Sequence, residues 1–307
     1  MYDVIVVGGG PAGMTAALYA LRNGKSVLVL EKTGFGGQIT HSPKVENWPG
    51  TARMSGNEFA DAFLEQILDQ GAEVDLAEAV RVEDLGAFKR VYTAEGEVRE
   101  GKTVILATGV KHRELGLPGE REMIGEGVSY CAVCDGDFFR DRKVCVAGGG
   151  NSALQEAMLL SGKCAEVVML QDLPEFTGEK ALQDLLFARK NVSARTGVKI
   201  VDLEMDEQVR LTGVTIETAD GARETIACDG LFVAIGLIPE NGAFAEVAAL
   251  DAWGYFDSPE SCETRTPGIF AAGDCRAKRI RQLTTAAGDG SVAALAACRY
   301  LDTLQDQ

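Results

Sequence analysis

Residues 4–7, Val-Ile-Val-Val, form an unbroken apolar run rich in β-branched side chains, the pattern of a strand covered on both faces. Gly8-Gly9-Gly10-Pro11-Ala12-Gly13 and an alanine-rich stretch ending near Asn23-Gly24 follow, so the strand enters a helix through a glycine turn. A second apolar run, residues 26–30, ends at Glu31. The same order returns after Lys143: a strand at 144–147, the turn Gly148-Gly149-Gly150-Asn151-Ser152-Ala153, a helix to about Ser161 and a strand at 166–170. Two further apolar strands, 104–107 and 269–272, run into Thr108-Gly109 and Gly273-Asp274.

Each strand–turn–helix unit is built for a dinucleotide. Gly8 allows the tight turn, Gly10 lets the backbone approach a pyrophosphate at the helix N-terminus, and Gly13 lets helix and strand pack closely. Glu31 stands where a carboxylate accepts the hydroxyls of a ribose. In the second copy Gly148, Gly150 and Ala153 take the same places, alanine being small enough for close packing. The fold expected is α/β, two Rossmann-like three-layer (ββα) nucleotide-binding domains with the second inserted into the first. The discontinuous domain spans 1–114 and 245–307 and the inserted one 115–244, with Pro-containing hinges at 115–119 and 238–242.

Charge narrows the partners. Against 30 basic residues stand 46 acidic ones, a net charge of −16, which disfavours nucleic acid and anionic membranes. Residues 4–21 are uncharged but broken by the glycine turn, and Met1-Tyr2-Asp3 is not the basic start of a signal peptide. A cytoplasmic protein is expected.

Of eight cysteines, six are scattered singly, and Cys131 and Cys134 form a C-x-x-C pair. A zinc site takes about four ligands. No second close pair exists and His41 and His112 are the only histidines, so the pair reads as redox-active and no metal is expected.

Taken with Gly36-Gly37-Gln38, the run Val45-Glu46-Asn47-Trp48-Pro49-Gly50, Ala107-Thr108-Gly109, Cys131-Ala-Val-Cys134-Asp135-Gly136, Phe232-Val233-Ala234-Ile235-Gly236 and Arg281-Gln282, nearly the whole chain resembles the low-molecular-weight thioredoxin reductase family. The resemblance implies non-covalent FAD held by Gly8, Gly10, Gly13, Glu31, Gln38, Asn47, Thr108, Gly109, Asp274, Arg281 and Gln282, and a homodimer. It further implies that Cys134 receives electrons at the flavin C4a position, that Cys131 attacks the disulfide of thioredoxin, and that Cys134 resolves the mixed disulfide. Asp135 would protonate the departing thiolate, a role that needs a carboxyl raised by burial. A helix cap beside Gly136 is the other reading of Asp135.

One segment departs from the family. Where it carries a His-Arg-Arg motif for the 2′-phosphate of NADPH, this chain has Gln171-Asp172-Leu173-Pro174-Glu175-Phe176-Thr177. No cation remains, and Asp172 and Glu175 repel a dianion. This counts against NADPH. Two donors stay open: NADH, with Asp172 or Gln171 accepting ribose hydroxyls over Gly148, Gly150 and Ala153, or reduced ferredoxin or flavodoxin, since residues 171–180 resemble the ferredoxin-linked branch. A protein donor would use one of three basic clusters, at 111–113, 140–143 or 276–281. Two other functions compete: an FAD-dependent dithiol oxidase using oxygen, and a non-catalytic flavin redox sensor.

Overall fold

Strand β1 (Tyr2–Val7) leads to helix α1 (Pro11–Arg22) and strand β2 (Val27–Glu31) in a computed structural model that describes residues 1–42 and 44–305. Helix α2 (Gly56–Asp69) opens on a capping box: Ser55 Oγ accepts the Glu58 N–H and Glu58 Oε2 accepts the Ser55 N–H, an arrangement that stabilises a helix start by about 1 kcal/mol. Strands β3 (Glu73–Leu76), β4 (Ala79–Asp84), β5 (Lys89–Thr93) and β6 (Val98–Leu106) follow. The order β3-β2-β1-β6 is parallel and continues through β5 and β4 as an antiparallel meander. Strand alternation sorts the core. Val4, Val6, Val27 and Val29 pack with Met14 and Ala17 of α1, while Ile5, Val7, Leu28 and Leu30 pack with Val82 and Val91 of the meander.

Strand β7 (Lys111–His112) carries the chain out of this unit. The second unit holds β8 (Val128–Ser129), the short helix α3 (Ala132–Asp135), β9 (Lys143–Ala147), α4 (Asn151–Ser161), β10 (Glu166–Gln171), α5 (Lys180–Phe187), β11 (Val192–Thr196), β12 (Val198–Met205), β13 (Leu211–Thr218), β14 (Arg223–Ala227) and β15 (Gly230–Val233). Its parallel sheet runs β11-β10-β9-β15-β8, beside an antiparallel sheet β12-β13-β14. Val144, Val146, Val167 and Met169 pack with Leu154 and Leu160 of α4. Cys145, Ala147, Val168 and Leu170 turn to Leu203, Val214 and Ile226 of the antiparallel sheet. The layers are again helix, parallel sheet and meander.

The chain returns through β16 (Leu237–Ile238), adds β17 (Ile269–Ala271) beside β6, and ends in α6 (Leu283–Gln305), which packs on α1. Two Rossmann-like units result, the second inserted in the first. They divide between Lys111 and His112 and between Leu237 and Ile238, not after residues 114 and 244. The Arg113 N–H donates to Gly236 O at 2.9 Å, which fixes 112–114 in the second unit. The expected hinge at 115–119 is tied down by Glu120, whose carboxylate accepts the N–H groups of Leu115 (2.9 Å) and Gly116 (2.8 Å). Asn241 fixes 238–244 in the first unit: it accepts from Thr108 Oγ1 at 2.7 Å and donates to Gly254 O and Cys275 O at 2.9 and 3.0 Å.

Candidate redox and nucleotide sites

Cys131 and Cys134 are joined by a disulfide, with their Cα atoms 5.3 Å apart. Cys131 is the N-cap of α3, and its Sγ accepts the Cys134 N–H at 3.2 Å. Ser129, at the end of β8, organises the approach to the pair. Its Oγ accepts the Cys131 N–H at 3.1 Å and donates to Asp135 Oδ2 at 2.6 Å. Asp135 Oδ1 is buried without a hydrogen-bond partner. Burial raises the Asp135 pKa and the Ser129 bond opposes the rise, because a carboxyl stripped of water favours its neutral form. Asp135 closes α3 and its side chain caps no helix.

In the first glycine turn two positions admit no side chain. Gly8 has φ +111°, and a Cβ there would lie 2.2 Å from Ala107 O; at Gly13 it would lie 1.8 Å from Gly8 O. Gly10 is different, since the nearest atom to a Cβ would be Gly36 O at 3.9 Å. Gly10 caps α1 with no side-chain hydrogen bond, and Pro11 follows it, leaving first-turn N–H groups to meet an anion.

Glu31 is buried at the end of β2, where Oε2 accepts the Gly9 N–H at 2.7 Å and Oε1 accepts the Thr33 N–H at 2.9 Å. The carboxylate therefore shapes the turn as well as ending the strand. Gln38 Nε2 donates to Val110 O at 2.7 Å, and Asn47 Nδ2 donates to Gln282 Oε1 at 3.2 Å. Thr108 is bonded to Asn241, and Gly109 beside it has φ +67°. Asp274 Oδ1 is buried without a hydrogen bond, though Lys278 Nζ stands 3.5 Å away. Burial raises its pKa against the opposing fields of Lys278 and Arg281. Arg281 Nε donates to Asp274 O at 3.1 Å and its guanidinium lies 4.2 Å over the Tyr255 ring.

The second turn repeats the backbone of the first. Gly148 has φ +126°, Ala153 is buried, and Gly149 O accepts the N–H groups of Thr177 and Gly178 at 2.9 Å, as Gly9 O accepts that of Gly36. The surroundings differ. Asn151, first in α4, donates to Glu179 Oε1 at 3.0 Å and accepts the Glu179 N–H at 2.7 Å, so an acid is held against the side chain of the first residue of the helix. Gln171 is buried and its Nε2 donates to Glu175 O at 3.3 Å. Asp172 beside it is exposed. Among the described residues no group of three or more His, Cys, Asp and Glu is placed to hold a metal, and no helix is long and apolar enough to cross a membrane.

Each basic cluster has members held in ion pairs within the chain. Lys111 pairs with Glu240 (2.9 Å), Arg140 with Asp137 (2.6 Å) and Lys143 with Glu166 (3.1 Å). Arg276 is buried against Asp289 at 2.9 Å and Lys278 reaches the same carboxylate at 3.1 Å.

A family model for pyridine nucleotide-disulphide oxidoreductases matches residues 2–290. The thioredoxin reductase of Listeria monocytogenes is 39% identical over 307 residues, covering 100% of this chain and 96% of the relative, and that of Bacillus subtilis is 36% identical with the same coverage. The crystal structure of thioredoxin reductase from Streptococcus pyogenes superimposes with a TM-score of 0.93 at 38% identity, covering 99% of each chain. The chain belongs to the pyridine nucleotide-disulphide oxidoreductases, in the low-molecular-weight thioredoxin reductase family.

As a member of the low-molecular-weight thioredoxin reductase family it is an oxidoreductase acting on a disulfide. The family uses FAD with a nicotinamide cofactor, and the first turn fits FAD: Gly10 leaves a cradle over uncapped N–H groups, and the orphaned Asp274 Oδ1 is a buried acceptor in the same unit. Sequence reasoning missed Ser129 and Asn241, which orient Asp135 and Thr108. It also missed Glu156 on α4, whose Oε2 is buried without a hydrogen-bond partner.

Proposed function

We propose that the chain is an FAD-dependent thioredoxin-disulfide reductase whose electrons come from a donor other than NADPH, working as a homodimer in the cytoplasm. Bound FAD would supply the two-electron carrier between that donor and the Cys131–Cys134 disulfide. In the reduced pair Cys131, as thiolate, attacks one sulfur of the thioredoxin disulfide, and the other sulfur leaves as a thiolate and takes up a proton. Cys134 then displaces the thioredoxin sulfur from Cys131 and the disulfide re-forms. The Cys134 N–H on Cys131 Sγ favours a thiolate at Cys131. Asp135, raised by burial, is the acid that holds the proton. That acid, one residue from the disulfide and with Oδ1 buried without a partner, is the observation that carries the reading.

The input side rests on the second turn. Residues 171–177 hold no cation for a 2′-phosphate and carry Asp172 and Glu175, and Glu179, just before α5, is hydrogen-bonded to the Asn151 side chain, so a dianionic ligand meets repulsion there. Reduced ferredoxin or flavodoxin is the donor favoured by the likeness of 171–180 to the ferredoxin-linked branch, with NADH second. A thioredoxin near about −270 mV can be reduced by any of these, so potential alone does not select the donor.

Anaerobic mixing of the flavoprotein with NADPH, NADH and reduced ferredoxin, followed by flavin absorbance and by thioredoxin thiols, tests both halves. Bleaching by ferredoxin with stoichiometric thioredoxin reduction is expected. Bleaching by low concentrations of NADPH would overturn the donor reading, and a flavin that bleaches without yielding thioredoxin thiols would overturn the reductase.

A further inference from the structure

A second acid with a buried, unpartnered oxygen lies on the helix that packs against α3. Glu156 lies on that helix, α4, and the N–H of Ala132, the residue next to Cys131, favours its ionised form. Its Oε2 is buried without a hydrogen-bond partner. Among the described residues only three buried side-chain polar atoms lack a partner: Asp274 Oδ1, Asp135 Oδ1 and Glu156 Oε2. The last two belong to acids on the two helices that meet at the disulfide.

The field at Glu156 is simple. Helix α4 packs against α3, α5, β9 and β10, which carry Asp135; Lys180 and Asp184; Lys143 and Cys145; and Glu166. Of these, Asp135 is the group that acts on Glu156, and it disfavours the ionised form. An ionised Asp135 therefore makes ionisation of Glu156 more costly. A buried carboxyl oxygen with no donor is best satisfied by its own proton.

We infer that Glu156 and Asp135, acids on the packed helices α4 and α3 that each keep one buried oxygen without a partner, together set the thiol acidity and reduction potential of Cys131–Cys134, Glu156 acting as a positioning residue. This rests on Cys131–Cys134 being the electron-carrying disulfide. Burial pushes Glu156 up to about 7 against the opposing Ala132 N–H, and Asp135 adds a smaller push in the same direction as burial. Below that pH a neutral Glu156 leaves a thiolate at Cys131 undisturbed. Above it, an ionised Glu156 opposes the thiolate, so reduction draws an additional proton onto Glu156. Two electrons from the donor break the S–S bond, Asp135 protonates one sulfur, and solvent restores its proton.

The test uses Glu156→Gln in the FAD-loaded enzyme, an isostere that carries no charge. The potential of the disulfide is read against dithiothreitol mixtures from pH 6 to 9, and the thiol titration from iodoacetamide alkylation of reduced Cys131. The wild type should show a break in the potential–pH slope near neutrality that the variant lacks. Relief of one charge is worth up to about one pH unit of thiol acidity, so alkylation of the variant at pH 7.5 should be about three- to tenfold faster. An unchanged break and unchanged alkylation in a variant with normal flavin content would overturn the inference. Should the variant not fold, the infrared carboxylic-acid band of the wild type decides: a band titrating near neutrality that shifts on disulfide reduction supports the pair, and its absence overturns it. A disulfide that dithiothreitol reduces but thioredoxin never reoxidises would instead sink the proposed function and leave the acid pair standing.

Discussion

Ser129 Oγ donates a 2.6 Å hydrogen bond to Asp135 Oδ2, and that bond opposes the burial that raises the Asp135 pKa. A hydrogen bond to the ionised form favours ionisation, so deleting it raises the pKa further. A general acid works while protonated, and its activity is lost as pH rises through its pKa. Ser129→Ala should therefore move the alkaline limb of the thioredoxin-reduction profile to higher pH. Asp135→Asn should lower the rate by about 10²- to 10⁴-fold and flatten that limb. A steady-state pH profile checks both, and a limb that moves to lower pH in Ser129→Ala would remove Asp135 from the role.

The two cysteines should separate by trapping. With Cys134→Ser, Cys131 can still attack but nothing resolves the product, so a mixed disulfide with thioredoxin accumulates and is seen by mass. With Cys131→Ser no such adduct forms under the same conditions. Both variants should lose turnover and keep the flavin, because neither side chain supports the first unit. Trapping in the opposite variant would exchange the two roles.

Gly10 and Gly150 occupy equivalent places and should respond differently. A Cβ at either meets nothing nearer than 3.9 Å, so alanine should leave the melting temperature almost unchanged in both. Gly10→Ala brings a methyl group into the cradle and should yield protein with less FAD. Gly150→Ala should keep full flavin content and full turnover from ferredoxin, while NADH-dependent turnover, if that is the route, should fall. Gly13→Ala is the contrast, since its Cβ would lie 1.8 Å from Gly8 O. Overpacking of that kind costs about 1–3 kcal/mol, and both flavin content and melting temperature should drop.

How legible this was depended on the range of each interaction. The glycine turns, β1, β2, β9 and β10 are local patterns of period and punctuation, so the sequence displayed them directly. The unit boundaries were less visible, because 238–244 is bound to the first unit by Asn241, whose partners Thr108 and Cys275 are remote in the chain. Burial of Asp135 could not be read from the chain, since it depends on α4 packing on α3. Glu156 did leave a trace. It lies three residues after Ala153 and four before Leu160, both buried, which puts an acid on the apolar face of α4. The arginines and lysines at 276–281 looked like a surface patch, but Asp289, distant in sequence, folds back on Arg276 and Lys278.

The buried Glu156 also leaves a mark on stability. Its ordinary value is 4.5 and the folded protein raises it to about 7, so between those values the native state binds more protons than the unfolded one. Stability then falls as pH rises through that window, the reverse of the usual salt-bridged carboxylate. A shift of that size is worth up to about 3 kcal/mol at pH 8. Glu156→Gln has no charge to bury, so its stability relative to the wild type should improve from pH 5 to pH 8 by up to about that amount. Urea midpoints at fixed FAD concentration check this, because flavin binding itself adds stability. A difference that stays constant across that range would mean Glu156 is already ionised in the folded protein at pH 5, and that its burial is offset by a donor other than the Ala132 N–H.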